Sequence, residues 1–87
     1  MGAVNTPYID HGGFRLFSDT VHTDELLWHW DGEDRTIKPT ELTDWKFQFD
    51  NEPSFIIGAQ PIFIKAGVWH RLIKGTGDLV IHITRHR

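Results

Sequence analysis

The sequence predicts an all-β fold, a small sandwich or barrel of mostly antiparallel strands. Three observations predict it. Apolar and polar residues alternate at period two in several short segments. Clusters of turn-forming residues separate those segments, roughly every eight to twelve residues. Helical periodicity is nearly absent, so no helices are available to cover a parallel sheet, and the strands must pair antiparallel.

Taken in chain order, residues 1–12 read as an N-terminal arm that either pairs with another strand or frays. A single domain follows over residues 13–87. Thr20 to Leu27 is the only segment able to nucleate a helix, because Thr23 precedes Asp24 and Glu25 as an N-cap would. Leu26, Trp28 and Trp30 then alternate with Leu27, His29 and Asp31, a strand pattern. Trp45, Phe47 and Phe49 alternate with Lys46, Gln48 and Asp50 in the same way. The first three belong in the core, although the reverse register, with Gln48 inward, stays open. Phe55 to Ile57, Ile62 to Ile64, Trp69 to Ile73 and Leu79 to Thr84 complete the strands. Between them lie Asp31-Gly32-Glu33-Asp34, Asn51-Glu52-Pro53, Gly58-Ala59-Gln60-Pro61, Lys65-Ala66-Gly67 and Gly75-Thr76-Gly77-Asp78, all turn chemistry.

Length and composition narrow the function. Eighty-seven residues make one domain with a thin stability margin. The absence of cysteine removes disulfides, thiolate metal sites and a thiol nucleophile. Stability must come from packing, and the 4 Trp, 6 Phe and 1 Tyr supply large buried areas. Eleven acids against four bases up to residue 52 give −7, and one acid against five bases afterwards gives +4. A net acidic chain without a basic run lacks the surface that displaces counterions from a nucleic acid duplex. No apolar stretch is long enough to span a membrane, and Met1 to Asp10 has no signal-peptide pattern. A soluble, cytoplasmic or otherwise non-exported protein is the expectation.

Of the six histidines, His82 and His86 lie in a β-branched run. Four residues of strand span about 13 Å, too far for both rings to reach one ion, and they read as surface groups. His11 and His22 lie in polar segments and read likewise. His29 and His70 differ, since each sits beside tryptophan in a strand pattern and has polar company on its own face. If the sheet curls, His29, Asp31 and His70 converge as two imidazoles and a carboxylate, a donor set for a divalent first-row metal.

Ile62 to Leu72 resembles the second conserved motif of the cupin superfamily, Pro-x-Gly-x-x-His, here Lys65-Ala66-Gly67-Val68-Trp69-His70. Trp28-His29-Trp30-Asp31 falls where the first cupin motif places His-x-His. The resemblance covers residues 14–84, and the chain is also similar, less specifically, to short cupin-like proteins of marine phages. It implies a double-stranded β-helix, a small jelly-roll barrel, with His70 pointing inward after a tight glycine turn. It also implies a frequent habit of pairing into homodimers. The departures are as informative. Asp31 stands at the second histidine position, the glutamate position falls on Arg35 or Thr36, and Lys65 replaces the proline. A guanidinium beside a divalent ion is unfavourable, so an inward Arg35 would pair with Asp31. Glu33 and Asp34 are substitute ligands only if the turn that carries them reaches the site.

The site has two readings. In one, His29, Asp31 and His70 bind Zn²⁺, Fe²⁺, Mn²⁺ or Ni²⁺ with water completing the shell. In the other they form a metal-free polar network, with His29, Arg35 and His70 binding a small molecule at the barrel mouth. The corresponding functions are a small-molecule-binding cupin, a metal-dependent enzyme of oxygenase or isomerase type, and a structural module of a larger assembly. Trp28, Trp30 and Trp69 face away from the pocket, as a homodimer interface or as a stacking surface for a sugar or base. A barrel of OB or SH3 type is the alternative fold, and it would leave His29 and His70 unrelated.

Overall fold

The computed structural model describes residues 7–86. Among these residues eight strands form: β1 (Ile9–His11), β2 (Phe14–Phe17), β3 (Asp34–Pro39), β4 (Thr43–Phe49), β5 (Phe55–Gly58), β6 (Ile62–Ile64), β7 (His70–Ile73) and β8 (Leu79–His86). They make two antiparallel sheets, one ordered β1-β2-β8-β3-β6 and the other β5-β4-β7. The sheets face each other without closing into one continuous barrel.

Period-two alternation decides which face each strand buries. In β4, Trp45 and Phe47 are buried while Asp44 and Lys46 are exposed. In β6, Ile62 and Ile64 are buried while Phe63 is 56% exposed. β8 is the long central strand, with Leu79, Ile81 and Ile83 inward. Ile37 of β3 lies opposite Ile83 on one side and Ile62 on the other, an aliphatic row across three strands. Each such side chain contributes about 1.5–3 kcal/mol when taken fully out of water. From the smaller sheet, Trp45, Phe47, Ile57 and Leu72 close over this row. Trp45 is fully buried and its indole N–H donates to the Gly77 carbonyl at 3.0 Å, so its one polar atom is satisfied.

The turn between β6 and β7 sets where His70 lies. The Val68 N–H donates to the Lys65 carbonyl at 3.2 Å, with Gly67 at φ +80°. That is a type II turn, whose third residue needs the left-handed conformation that glycine adopts freely. The Gly67 N–H donates to the Asp31 carbonyl at 2.9 Å, and the Ala66 N–H donates to the Asp34 carboxylate at 2.8 Å. These two bonds pin the segment before β3 against the β6–β7 turn.

Several expectations need correction. No strand forms over residues 26–31; only His29 pairs, in a single antiparallel bridge with His70. Leu26 is buried but Trp28 and Trp30 are exposed, so the apparent alternation crosses a bend in the chain. The helix-nucleating segment yields one 3₁₀ turn, Thr23–Glu25, because no amphipathic face follows to extend it. The turn expected to run through Asp34 ends there, and β3 begins. The sequence pattern marks neither β2 nor β3, since Arg15 and Arg35 occupy inward positions that normally hold apolar residues. Of the arm over 1–12, residues 1–6 lie outside the described residues, and Ile9–His11 pair with β2 as β1.

Candidate metal centre

His70 begins β7 with its side chain between the sheets and is the one buried ionisable residue among those described. His29 faces it across the bridge. The His29 N–H donates to the His70 carbonyl at 3.0 Å, and the His70 N–H returns to the His29 carbonyl at 2.9 Å. Directly paired residues send their side chains to the same side of a sheet, so both imidazoles lie on the cavity side, His70 buried and His29 exposed. Their ring centroids are 4.3 Å apart, and the Phe47 ring stacks on His70 at 5.4 Å.

The two histidines are held in the same manner. His29 Nδ1 lies 2.9 Å from the Leu27 carbonyl, and His70 Nδ1 lies 2.8 Å from the Val68 carbonyl. A carbonyl only accepts, so each Nδ1 carries a proton and Nε2 is the ring atom left to face the site. Burial is the largest influence on His70 and lowers its pKa, with His29 and Arg35 acting in the same sense. The Val68 carbonyl and the Asp31 carboxylate oppose it without reversing the direction. His70 is therefore a neutral imidazole at neutral pH, the form that ligates metals.

Asp31 completes the group. Its Oδ2 lies 3.4 Å from His70 Nε2, and its Oδ1 pairs with the Arg35 guanidinium at 3.2 Å. One ligand atom from each of His29, Asp31 and His70 falls within 4.8 Å of the others, so the three can hold a metal ion. The donor chemistry fits: both Nδ1 positions already have backbone acceptors that fix ring orientation and tautomer, as metal-binding histidines require.

Arg35, one of the two residues (with Thr36) on which the resemblance put the glutamate position, points inward. It bonds Glu33 through Nε at 3.0 Å as well as Asp31. The Arg35 hydrogen bond is the main reason the Glu33 carboxyl sits below its ordinary range. Glu33 and Asp34 are thus occupied elsewhere, by Arg35 and by the Ala66 N–H, and neither joins the group. His82 and His86 are exposed, and His86 pairs with Thr36 at 2.7 Å.

The centre opens onto a cavity of about 430 Å³ between the sheets. His29, Arg35 and His70, the three residues expected to bind a ligand, all line it, together with Asp31. Arg15 and Tyr8 line it too, and sequence reasoning misses both. The only sequence signal for Arg15 is that it shares a face with Phe17 in a four-residue strand. Arg15 lies over the Tyr8 ring at 3.7 Å and holds Asp10 in a two-point ion pair at 2.6 and 3.0 Å.

Comparison with known proteins gives a fold relationship alone. No protein-family model and no curated protein matches the chain. Among solved structures it is similar to protein NMB1881 from Neisseria meningitidis, at 19% identity and a TM-score of 0.56. The match covers 99% of this chain and 88% of that one.

Proposed function

We propose that this chain is a cupin-type protein that binds a small molecule at a divalent metal ion held by His29, Asp31 and His70. The observation that carries the reading is the pair of imidazoles, each fixed through Nδ1 on a backbone carbonyl, converging with one carboxylate. The cupin assignment draws support from the strand order. If the His29 bridge counts as a rudimentary strand beside β7, each sheet supplies four strands of a jelly roll, and β1 is an addition at one edge. The Gly67 turn followed by an inward His70 supports it as well.

Three protein ligands leave positions open to water or a ligand, the arrangement of catalytic rather than structural sites. Bound there, a divalent ion supplies Lewis-acid polarisation of a coordinated oxygen. The chain's own residues do the rest. The Leu27 and Val68 carbonyls orient the rings, Arg35 holds Asp31, and Ile37, Ile64 and Leu72 give the cavity apolar walls.

The Arg35–Asp31 ion pair favours a second reading, a metal-free polar network at the same cavity. Elemental analysis of protein purified without a nickel column separates the two. About one equivalent of Zn, Fe, Mn or Ni per chain, lost in a His29→Ala/His70→Ala variant that keeps its β-sheet circular dichroism, is the expected result. No stoichiometric metal, and no uptake on adding these ions, would leave the polar network.

The homodimer is likewise a proposal. Trp28, Trp30 and Trp69 are all exposed on the outer side of the smaller sheet, and Arg71 stacks over Trp28 at 4.7 Å. Indole-rich exposed faces are enriched at interfaces. Light scattering on the native chain and on Trp30→Ser decides it: a dimer that dissociates supports the interface, and a native monomer refutes it.

A further inference from the structure

We infer that the small molecule this centre takes joins a compact polar head, which meets the metal, to an apolar body of about the size of an aromatic ring. The inference rests on the metal reading and adds the chemical class of the ligand. Its basis is the order in which the strands lay polar and apolar side chains along the cavity.

Strand register fixes that order. On the larger sheet, Arg35 of β3 pairs with Ile64 of β6 and with Arg85 of β8. The next inward pair, about 7 Å further along, is Ile37 opposite Ile83, and Ile81 follows on β8. On the smaller sheet the next inward residue after His70 is Leu72, whose partner on β4 is Phe47. These apolar side chains all line the cavity that His29, Asp31 and His70 border. Phe47 also stacks on the His70 ring, so the apolar wall begins at a ligand side chain itself. A cavity of roughly 150 Å³ lined by Leu, Ile and Phe is enough to hold benzene. This one, at about 430 Å³, has room for a ring and its substituents.

The polar side chains that share the space are engaged within the chain. Arg15 gives its Nε and one Nη to the two oxygens of Asp10 and lies over the Tyr8 ring. Arg35 lies between Asp31 and Glu33, and Glu33 also meets Arg85. Glu25 accepts from the His22 N–H at 2.9 Å. Among the described residues, no buried side-chain nitrogen or oxygen lacks a hydrogen-bond partner. A hydroxyl carried into the Ile37–Ile83 stretch therefore leaves water without a side-chain partner waiting for it, which is unfavourable. A ring buried there gains in proportion to the apolar area it takes out of water. The walls thus favour an aromatic or aliphatic body over a sugar-like chain of hydroxyls.

The test uses the metal-free full-length chain at neutral pH, loaded with Co²⁺ so that the visible absorption reports on coordination. Imidazole, its C-phenyl derivative and its C-hydroxymethyl derivative are then titrated, three probes with the same coordinating head. The phenyl probe is expected to bind at least about tenfold tighter than imidazole, and the hydroxymethyl probe no tighter than imidazole. Equal affinities for the phenyl probe and imidazole would overturn the inference, because no apolar body is then held. A hydroxymethyl probe that matches the phenyl one would overturn it by revealing a partner for a hydroxyl. In Ile83→Phe, which fills the space, the phenyl probe should lose its advantage while imidazole still shifts the Co²⁺ bands. Leu72→Phe serves the same purpose if Ile83→Phe loses its β-sheet circular dichroism. An advantage that survives the filling would place the ring outside the cavity and also overturn the inference. All these adverse results leave metal binding intact, whereas a chain that takes up no Co²⁺ overturns the metal reading and this inference together.

Discussion

Gly75 shows how closely single positions are constrained at the end of the molecule away from the metal ligands. A Cβ built there would collide with the Asp44 carboxylate and come within 2.7 Å of the Trp45 backbone nitrogen. Backbone cannot yield as a flexible side chain does, so Gly75→Ala must push β4 away from the β7–β8 turn. Overpacking of this kind costs about 1–3 kcal/mol. Gly32 provides the internal comparison, since a Cβ there meets nothing within 4 Å and its φ lies outside the left-handed region. Urea melts should show Gly75→Ala destabilised by that amount and Gly32→Ala within about 0.5 kcal/mol of the parent. Equal midpoints for the two variants would contradict the close approach at Gly75. The same logic of a fixed backbone applies to His29 and His70, whose rings are aimed by main-chain carbonyls that no side-chain substitution can remove.

At the scale of the element, β4 is tied to the β7–β8 turn through Asp44. Its carboxylate accepts from the Thr76 N–H and the Thr76 hydroxyl, both at 2.8 Å. These bonds, the backbone one first, hold the Asp44 carboxyl below its ordinary pKa. A depressed carboxyl stabilises the fold fully above its unfolded pKa, and the stabilisation is lost as pH falls through the folded value. Stability should therefore decline as pH falls from about 4, and Asp44→Asn should flatten that decline while leaving the neutral-to-alkaline profile unchanged in shape. An identical acid limb in the variant would show that Asp44 is not linked to folding. The elements also differ in how legible they are in the sequence, for a physical reason. β4 is plain because Trp45 and Phe47 are buried against polar alternates. β2 and β3 are hidden because Arg15 and Arg35 face inward, their charges answered by carboxylates a few residues upstream, Asp10 for Arg15 and Asp31 and Glu33 for Arg35. The site obeys the same rule. Local pattern marks His29, Asp31 and His70, but the Arg15–Asp10 pair depends on β1 folding back on β2, which no short motif reports.

Across the whole molecule, the proposed centre lies where the two sheets meet. His29 and His70 sit on the edge of the smaller sheet, whereas Asp31 is bonded to Arg35 of β3 in the larger one. The ligand atoms converge only when both sheets are in place, so a cation that binds them binds the folded chain and not the unfolded one. Ligand at a hundredfold excess over its dissociation constant then adds about 2.7 kcal/mol to stability. A small domain melts about 4–8 °C higher per kcal/mol, which gives a rise of roughly 10–20 °C. Scanning calorimetry with Zn²⁺ or Co²⁺ should show that rise, and a chelator should reverse it. Mg²⁺ at matched ionic strength controls for screening of surface charge, because it prefers an all-oxygen octahedral shell and should leave the midpoint unmoved. The His70→Ala variant melts lower to begin with, having lost the Phe47 stack and the Val68 bond, and should no longer respond to Zn²⁺. A Zn²⁺ response of the same size in that variant would place the ion elsewhere on the chain and remove His70 from the centre.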